Sequence, residues 1–334
     1  MCQNRLKESL RVGQTPISAI KMRPIKILFF CSSRLALPAL QELAFFNLVA
    51  AVIIPGHCDE MIENTRFILT DTDIPVLSVD KSSYIKQVKE IIENYHPTLG
   101  LIITFSYLIP SSVYHLLPDG FYNVHPGPLP AYRGADPVFQ QIKNREKQAG
   151  VTIHKLAEGF DNGPVVIKEM IRLELTDTYG MLTTKLAQVA ARLTMVLFKL
   201  ISYEVSVPSK TQDESKAIYY KRQQAKDVSI NWELMDADNV IALINACNPW
   251  NKGASTKINN KIIRFLEAVQ LTGEVADNNV LPGTIIAFDD KGMIVSTIYN
   301  QLIRVCIIHA DEGFLNAKRL NEIGVLTGNR FENI

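Results

Sequence analysis

"IKILFFCSSRLALPALQELAFFNLVAAVII", residues 25–54, sets two apolar runs on either side of a segment whose apolar residues recur at helical spacing. "IKILFF" (25–30) reads as a strand, "LALPALQELAFF" (35–46) as a helix with Pro38 near its first turn, and "LVAAVII" (48–54) as a second strand. Strands this uniformly apolar are buried on both faces, and a helix between them makes them parallel. The alternation continues through "SYIKQVKEIIENY" (83–95), a helix, and the strands "LGLIIT" (99–104) and "GFYNVH" (120–125). The expected fold class is α/β, a parallel sheet covered on both faces.

Farther on, "GVTIHKLA" (150–157) and "GPVVIKEMIRL" (163–173) alternate in part and read as a hairpin joined by "EGFDN". A long helix over about 178–202 closes this first unit, expected to span residues 25–203. Residues 204–226 are polar and read as a linker. Beyond them, after a helix near 236–247, the short runs "KIIRFLEAV", "GTIIAFDD", "GMIVSTIYN" and "QLIRVCIIHA" predict a small β-barrel or sandwich over 227–334.

With 334 residues, 47% of them hydrophobic, the chain can bury two cores. Its 35 basic and 34 acidic residues leave a net charge of +1, so no overall field draws in nucleic acid or membrane. The five scattered cysteines form no C-x-x-C pair, which fits a reducing cytosol and argues against a disulfide framework or zinc site. Residues 1–24 carry Arg5, Lys7, Arg11, Lys21 and Arg23 against Glu8, lack the apolar core of a secretory signal, and read as a disordered tail.

The last residues of the strand 120–125 emerge where the parallel sheet ends, the place where open α/β sheets bind ligands. Asn123 and His125 lie two apart and share one strand face. Asp161, in the hairpin turn, can reach a neighbouring strand end. Such a trio suits attack by an amine on a carbonyl carbon: the His takes the proton, a carboxylate favours the resulting imidazolium, and the Asn amide donates to the oxyanion. Taken one at a time, Asn123 and Asp161 also read as turn residues and His125 as a satisfied strand-end histidine.

"NVHPGPLPAYRGADP" (123–137) and "GVTIHKLAEGFDNGPVV" (150–166) resemble the folate-dependent formyltransferase family, whose pattern is N-x-H-x-S-L-L-P-x-x-R-G-x-x-P and later G-x-T-x-x-x-x-x-x-G-x-D-x-G. The resemblance extends to "IKILFFCSSRLALPALQEL", "ITFSYLIP" and "INACNPWNKGAST", and so spans about residues 25–331. It implies a Rossmann-like catalytic domain with a smaller OB-like C-terminal domain. It also implies 10-formyltetrahydrofolate as cofactor and formyl donor, with a primary amine as acceptor. By position, Asn123 becomes the oxyanion donor, His125 the proton acceptor and Asp161 its partner. Folate contacts fall to Gly127, Pro128, Leu129 and Pro130, and to the backbone around Leu108 and Ile109.

Gly127 and Pro128 depart from the Ser-Leu of the tRNA-formylating members, and Pro164 replaces a second Asp. Where those members resemble one another in a basic insertion after the second strand, this chain has Asp59, Glu60, Glu63, Asp71 and Asp73 against one Arg66. From Ser209 onward, 14 basic residues face 15 acidic ones. "AIYYKRQQAKDVSINW" (217–232) is similar to the linker of sugar N-formyltransferases. These departures favour a small or carrier-bound amine as acceptor, an amino sugar or aminoacyl group, over initiator methionyl-tRNA.

Other classes fare worse. A nicotinamide dehydrogenase needs G-x-G-x-x-G after the first strand, where "FFCSSRLALP" has no glycine. A zinc hydrolase needs ligand spacing, and His125 and His154 stand 29 residues apart without H-E-x-x-H, so His154 is expected to pack or pair within the hairpin. A non-catalytic folate- or ligand-binding protein stays open, with Trp250 either a base-stacking platform or a buried aromatic.

Overall fold

The computed structural model describes residues 22–334. Its first half runs β1 (Ile27–Cys31), α1 (Leu37–Phe45), β2 (Val49–Pro55), α2 (Asp59–Ile68), β3 (Val76–Val79), α3 (Tyr84–Tyr95), β4 (Leu99–Ile103), α4 (Ser111–Tyr114) and β5 (Phe121–His125). A short β6 (Arg133–Gly134) and α5 (Pro137–Lys143) lead into the hairpin β7 (Gln148–Lys155) and β8 (Val165–Arg172), then α6 (Tyr179–Ser202). The sheet order is β3-β2-β1-β4-β5-β7-β8. Its first five strands are parallel, and the hairpin continues the sheet antiparallel from β5.

The expected strands and helices of this half are present, with ends moved by a few residues. The acidic stretch 53–77 also contains a helix and a strand that its composition does not announce. In α2 only Met61 and Thr65 are buried, so the helix has almost no apolar stripe to reveal it. Asp59 and Glu60 occupy its first turn, where the helix dipole favours acidic side chains.

The long helix α6 is apolar enough to cross a membrane by length and composition. Its stripe of Leu182, Leu186, Ala190, Leu193, Leu197 and Ile201 is instead buried, in one core with α1 and the back of the sheet. Thr178 caps it by accepting from the Met181 amide at 3.3 Å.

Residues 204–226 do not hang free. Lys210 forms a bridge with Val165, and β9 (Tyr219–Tyr220) pairs parallel with β6. The second half follows as α7 (Ala237–Cys247), β10 (Ala254–Ile258), β11 (Lys261–Val275), β12 (Ile285–Asp289), β13 (Gly292–Ser296), β14 (Gln301–Ala310) and β15 (Gly313–Asn316). These strands form an antiparallel sheet in the order β10-β11-β14-β13-β12, with β15 on β14. Trp232 plugs it, stacked on Phe331 and donating from Nε1 to Thr256 Oγ1 at 2.9 Å.

The two halves meet through α5 and α7, and one apolar core runs across the junction. Trp250 belongs to this junction: its ring meets Phe139 and Tyr179, and its Nε1 donates to Ala246 O at 2.7 Å. It is nevertheless 42% exposed, so the expected buried aromatic is only partly realised. Residues 1–21, most of the expected tail, lie outside the described residues. Arg23 is part of the fold, its amide bonded to Ser202 O at 2.8 Å and its guanidinium to Asp119 at 2.5 Å.

Because α6 closes the core behind the sheet, Leu186→Ala, which empties a fully buried site, is expected to cost about 2–5 kcal/mol. Urea unfolding monitored by circular dichroism measures this as a lowered midpoint.

Candidate active site

Strand β5 presents Asn123 and His125 on one face, and its antiparallel neighbour β7 sets His154 opposite Asn123 and Thr152 opposite His125. Opposed residues of an antiparallel pair share a face, so four polar side chains converge on one side of the sheet. Asp161 enters from the β7–β8 turn, buried and in the left-handed region at φ 54°. Its Oδ1 accepts from Asn123 Nδ2 at 3.0 Å and lies 3.5 Å from both His125 Nδ1 and His154 Nε2. Its Oδ2 accepts from the Gly134 amide at 2.9 Å.

Burial alone would raise the Asp161 pKa, but the facing His125, His154 and the Gly134 amide outweigh it and hold the carboxyl well below the ordinary range. The group is an anion. Burial lowers the pKa of His125, only partly opposed by Asp161 and the Tyr132 carbonyl. Its ring is therefore neutral at pH 7.

The hydrogen-bond partners assign the tautomers. His125 Nε2 sits 2.5 Å from Tyr132 O, a pure acceptor, so the proton is on Nε2 and Nδ1 is the free base, turned toward Asp161. His154 Nδ1 donates to Lys155 O at 2.9 Å, leaving its Nε2 to accept from Asn123 Nδ2 at 3.2 Å. Both amide hydrogens of Asn123 are thus engaged, one by Asp161 and one by His154.

The loop Gly127–Pro130 follows β5 and is held from below. Thr152 Oγ1 donates to Gly127 O at 2.7 Å and accepts from the Leu129 amide at 3.2 Å. Buried Gln141 donates to Pro126 O at 3.0 Å and Pro137 O at 2.9 Å. Lys168 Nζ reaches Leu129 O at 3.0 Å. Gly127 is required here: a Cβ would stand 2.9 Å from both His125 Nε2 and Pro137 Cβ. The departure from Ser at this position therefore makes room for the His125 ring.

Leu108 and Ile109 stand in the loop after β4, apart from the polar cluster. Ile109 is buried, while Leu108 is exposed and its carbonyl accepts from the Tyr84 hydroxyl at 2.5 Å. Around them Phe105, Tyr107, Tyr84 and His57 pack ring to ring, with centroid separations of 5.1–6.0 Å. This loop and the β5 loop rise from adjacent strands at the same sheet edge.

The segment joining the two halves also enters the site. Gln212, buried, donates from Nε2 to Asp161 O and Gly163 O, both at 2.7 Å. Its Oε1 accepts from Arg133 Nε at 3.1 Å and Nη2 at 2.9 Å. Arg133, fully buried, forks onto Glu214 at 2.6 and 2.9 Å. Sequence reasoning missed Gln212, Gln141, Thr152 and the placement of His154. The last two carried a signal, since Thr152 and His154 are polar residues two apart on an otherwise apolar strand.

The chain matches the formyl transferase family over residues 64–196 and the formyl transferase C-terminal domain over residues 223–317. It is 32% identical to the methionyl-tRNA formyltransferase of Dictyoglomus thermophilum over 249 residues, 72% of this chain and 77% of that protein. The fold is similar to an N-formyltransferase from Helicobacter canadensis solved with folinic acid and dTDP-3-aminofucose. The TM-score is 0.64 at 17% identity, covering 84% of this chain and 98% of that one. It is also similar to HypX from Aquifex aeolicus solved with tetrahydrofolic acid, with a TM-score of 0.62 at 19% identity, covering 89% of this chain. This chain spans about half the length of HypX, 47%. With both domain matches and a relative at this identity over most of its length, the chain belongs to the formyl transferase family, enzymes that transfer formyl groups.

Proposed function

We propose that this protein transfers a formyl group from 10-formyltetrahydrofolate to a primary amine carried by a small or carrier-bound acceptor, an amino sugar or aminoacyl group. The observation that carries the reading is the buried contact of a neutral His125 Nδ1 with an ionised Asp161, beside the Asn123 amide. The donor supplies an activated one-carbon acyl group. The aromatic cluster beside Leu108 and Ile109 suits a flat heterocycle, and the pinned loop Gly127–Pro130 suits its remainder.

His125 Nδ1 takes the proton of the attacking amine, the Asp161 carboxylate 3.5 Å away stabilises the imidazolium, and as the bond from the formyl carbon to the folate nitrogen breaks that proton passes to the departing nitrogen. Asn123 Nδ2 donates to the charge developing on the formyl oxygen, exchanging one of its two present partners as the substrates enter. The loop is rigid before binding, so little ordering cost falls on the reactive complex. Free thiols at Cys31, Cys58, Cys247 and Cys306 fit a reducing, cytoplasmic setting.

The acceptor is argued from charge. The region after β2 is a short acidic helix, and the C-terminal half carries no basic excess. A second reading, initiator methionyl-tRNA as acceptor, is favoured by the relatives' own activity and by the match to the C-terminal domain. Part of the acidity of α2 serves its own helix dipole, which keeps this reading in view.

The deciding assay follows formyl transfer from 10-formyltetrahydrofolate to a panel of amino sugars, carrier-bound aminoacyl groups and charged initiator tRNA. The expected outcome is turnover with a small or carrier-bound amine, reduced about 10²- to 10⁴-fold in His125→Ala and about 10²- to 10³-fold in Asn123→Ala. Turnover confined to the tRNA selects the second reading, and no turnover with any amine ends both.

Catalysis needs the neutral ring, so kcat/KM falls as the pH drops through the His125 pKa. The acid limb is expected below 6.5, the ordinary histidine value. Asp161→Asn removes the charge that opposes burial, so the limb moves to still lower pH and the plateau drops by up to about 10²-fold.

Thr152→Val strands Gly127 O and the Leu129 amide, a penalty of about 1–3 kcal/mol for each unpaired group. It is expected to raise KM for the folate donor several-fold with a smaller change in kcat, read by steady-state kinetics.

A further inference from the structure

We infer that the segment joining the two domains is part of the catalytic apparatus, with Gln212 the positioning residue that holds Asp161 against His125. The inference rests on the reading of Asp161 as the partner of His125. Its observations are independent of the acceptor.

Asp161 stands at φ 54°, in the left-handed region that Asp enters at modest cost, and its turn is held in place from two sides. Two grips do this. Gln212 Nε2 binds the backbone of the turn at Asp161 O and Gly163 O, both at 2.7 Å. The Gly134 amide binds the side chain at Oδ2, 2.9 Å away. A Cβ on Gly163 would lie 1.8 Å from Lys155 O, so the turn already presses against β7 and has no slack on that side.

The two grips share one anchor. Arg133, adjacent to Gly134, holds Gln212 Oε1 with two N–H groups, and β6, which is Arg133–Gly134, pairs with β9 of the same interdomain segment. Arg133 is fixed in turn by Glu214, by the Tyr219 hydroxyl at 2.8 Å and by the Tyr219 ring at 5.2 Å. Glu214 and Tyr219 also come from that segment, so one stretch of chain sets both the backbone and the carboxylate of Asp161.

The chemistry of the position selects glutamine. A primary amide offers two donors at one end, matching two carbonyls, and an acceptor at the other, matching the guanidinium fork. Methionine has similar length but neither capability, and asparagine has both on a stem one methylene shorter.

The test compares wild type with Gln212→Met and the milder Gln212→Asn in the full-length protein. The His125 imidazole titration is followed by NMR without substrate, alongside kcat and KM for 10-formyltetrahydrofolate and the melting temperature. The groups facing His125 are the Asp161 carboxylate, the His154 ring and the Tyr132 carbonyl, and of these Asp161 supplies the main force opposing burial. Displacing Asp161 is therefore expected to lower the His125 midpoint by about one pH unit in Gln212→Met, and by less in Gln212→Asn. The kcat is expected to fall on the order of tenfold to a hundredfold with KM within about twofold.

An unchanged midpoint and kcat in folded variants overturns the inference. So does a lowered melting temperature with the midpoint unmoved, the signature of a merely structural residue. The midpoint is read on the free protein, so a wild type that transfers no formyl group sinks the proposed function without deciding this one.

Discussion

A carboxylate kept ionised inside the protein is the constraint around which this site is built. Asp161 is buried, and a buried anion is tolerated only when its oxygens are bonded and its charge is answered. The Gly134 and Asn123 amides donate to its oxygens at 2.9 and 3.0 Å, and the His125 and His154 rings lie 3.5 Å away. These four groups come from three pieces of chain, β5, β6 and β7. The demand of one side chain therefore fixes how the loop after β5, the hairpin and the strand ends must sit together. Arg133 shows the same economy in reverse, a buried cation matched by Glu214, Tyr219 and Gln212.

The mixed sheet makes this convergence possible. Parallel strands alone would place every strand's carboxyl end at one edge and leave their neighbours' polar groups out of register. The antiparallel β7 runs back alongside β5, so Thr152 and His154 stand directly across from His125 and Asn123. The turn between β7 and β8 folds back over this face and sets Asp161 against Asn123, His125 and His154. Thr152 braces the loop after β5 while His154 pairs with Asn123, a division of labour between two residues two positions apart.

Charge in the acidic stretch after β2 has a local cause as well as a functional implication. Asp59 and Glu60 stabilise the start of α2, and the Arg34 guanidinium pairs with Glu60 beside it. The stretch remains ill-suited to a phosphate backbone, because acidic side chains that serve a helix still repel phosphates nearby. Trp250 likewise has a local role, packing at the junction between α5, α6 and α7 while staying partly exposed.

Apart from Asp161, which only the family resemblance joined to the site, the sequence by itself determined most of the strands, the hairpin, the long helix and the shared strand face of Asn123 and His125. These rest on local periodicity and on side chains two apart on a strand, both of which are short-range properties of the chain. It did not disclose α2, whose apolar face is too small to produce a period, nor the bracing roles of Thr152 and Gln141. Tertiary structure alone decided which nitrogen of His125 is free, since that follows from a carbonyl at Tyr132 brought close by the loop's path. It alone turned residues 204–226 from an apparent linker into the support of Asp161, because hydrogen bonds between residues about 50 positions apart leave no mark in local pattern. Polar composition fits a segment that is mostly exposed, and packing buries Gln212 within it against Arg133 and the Asp161 turn.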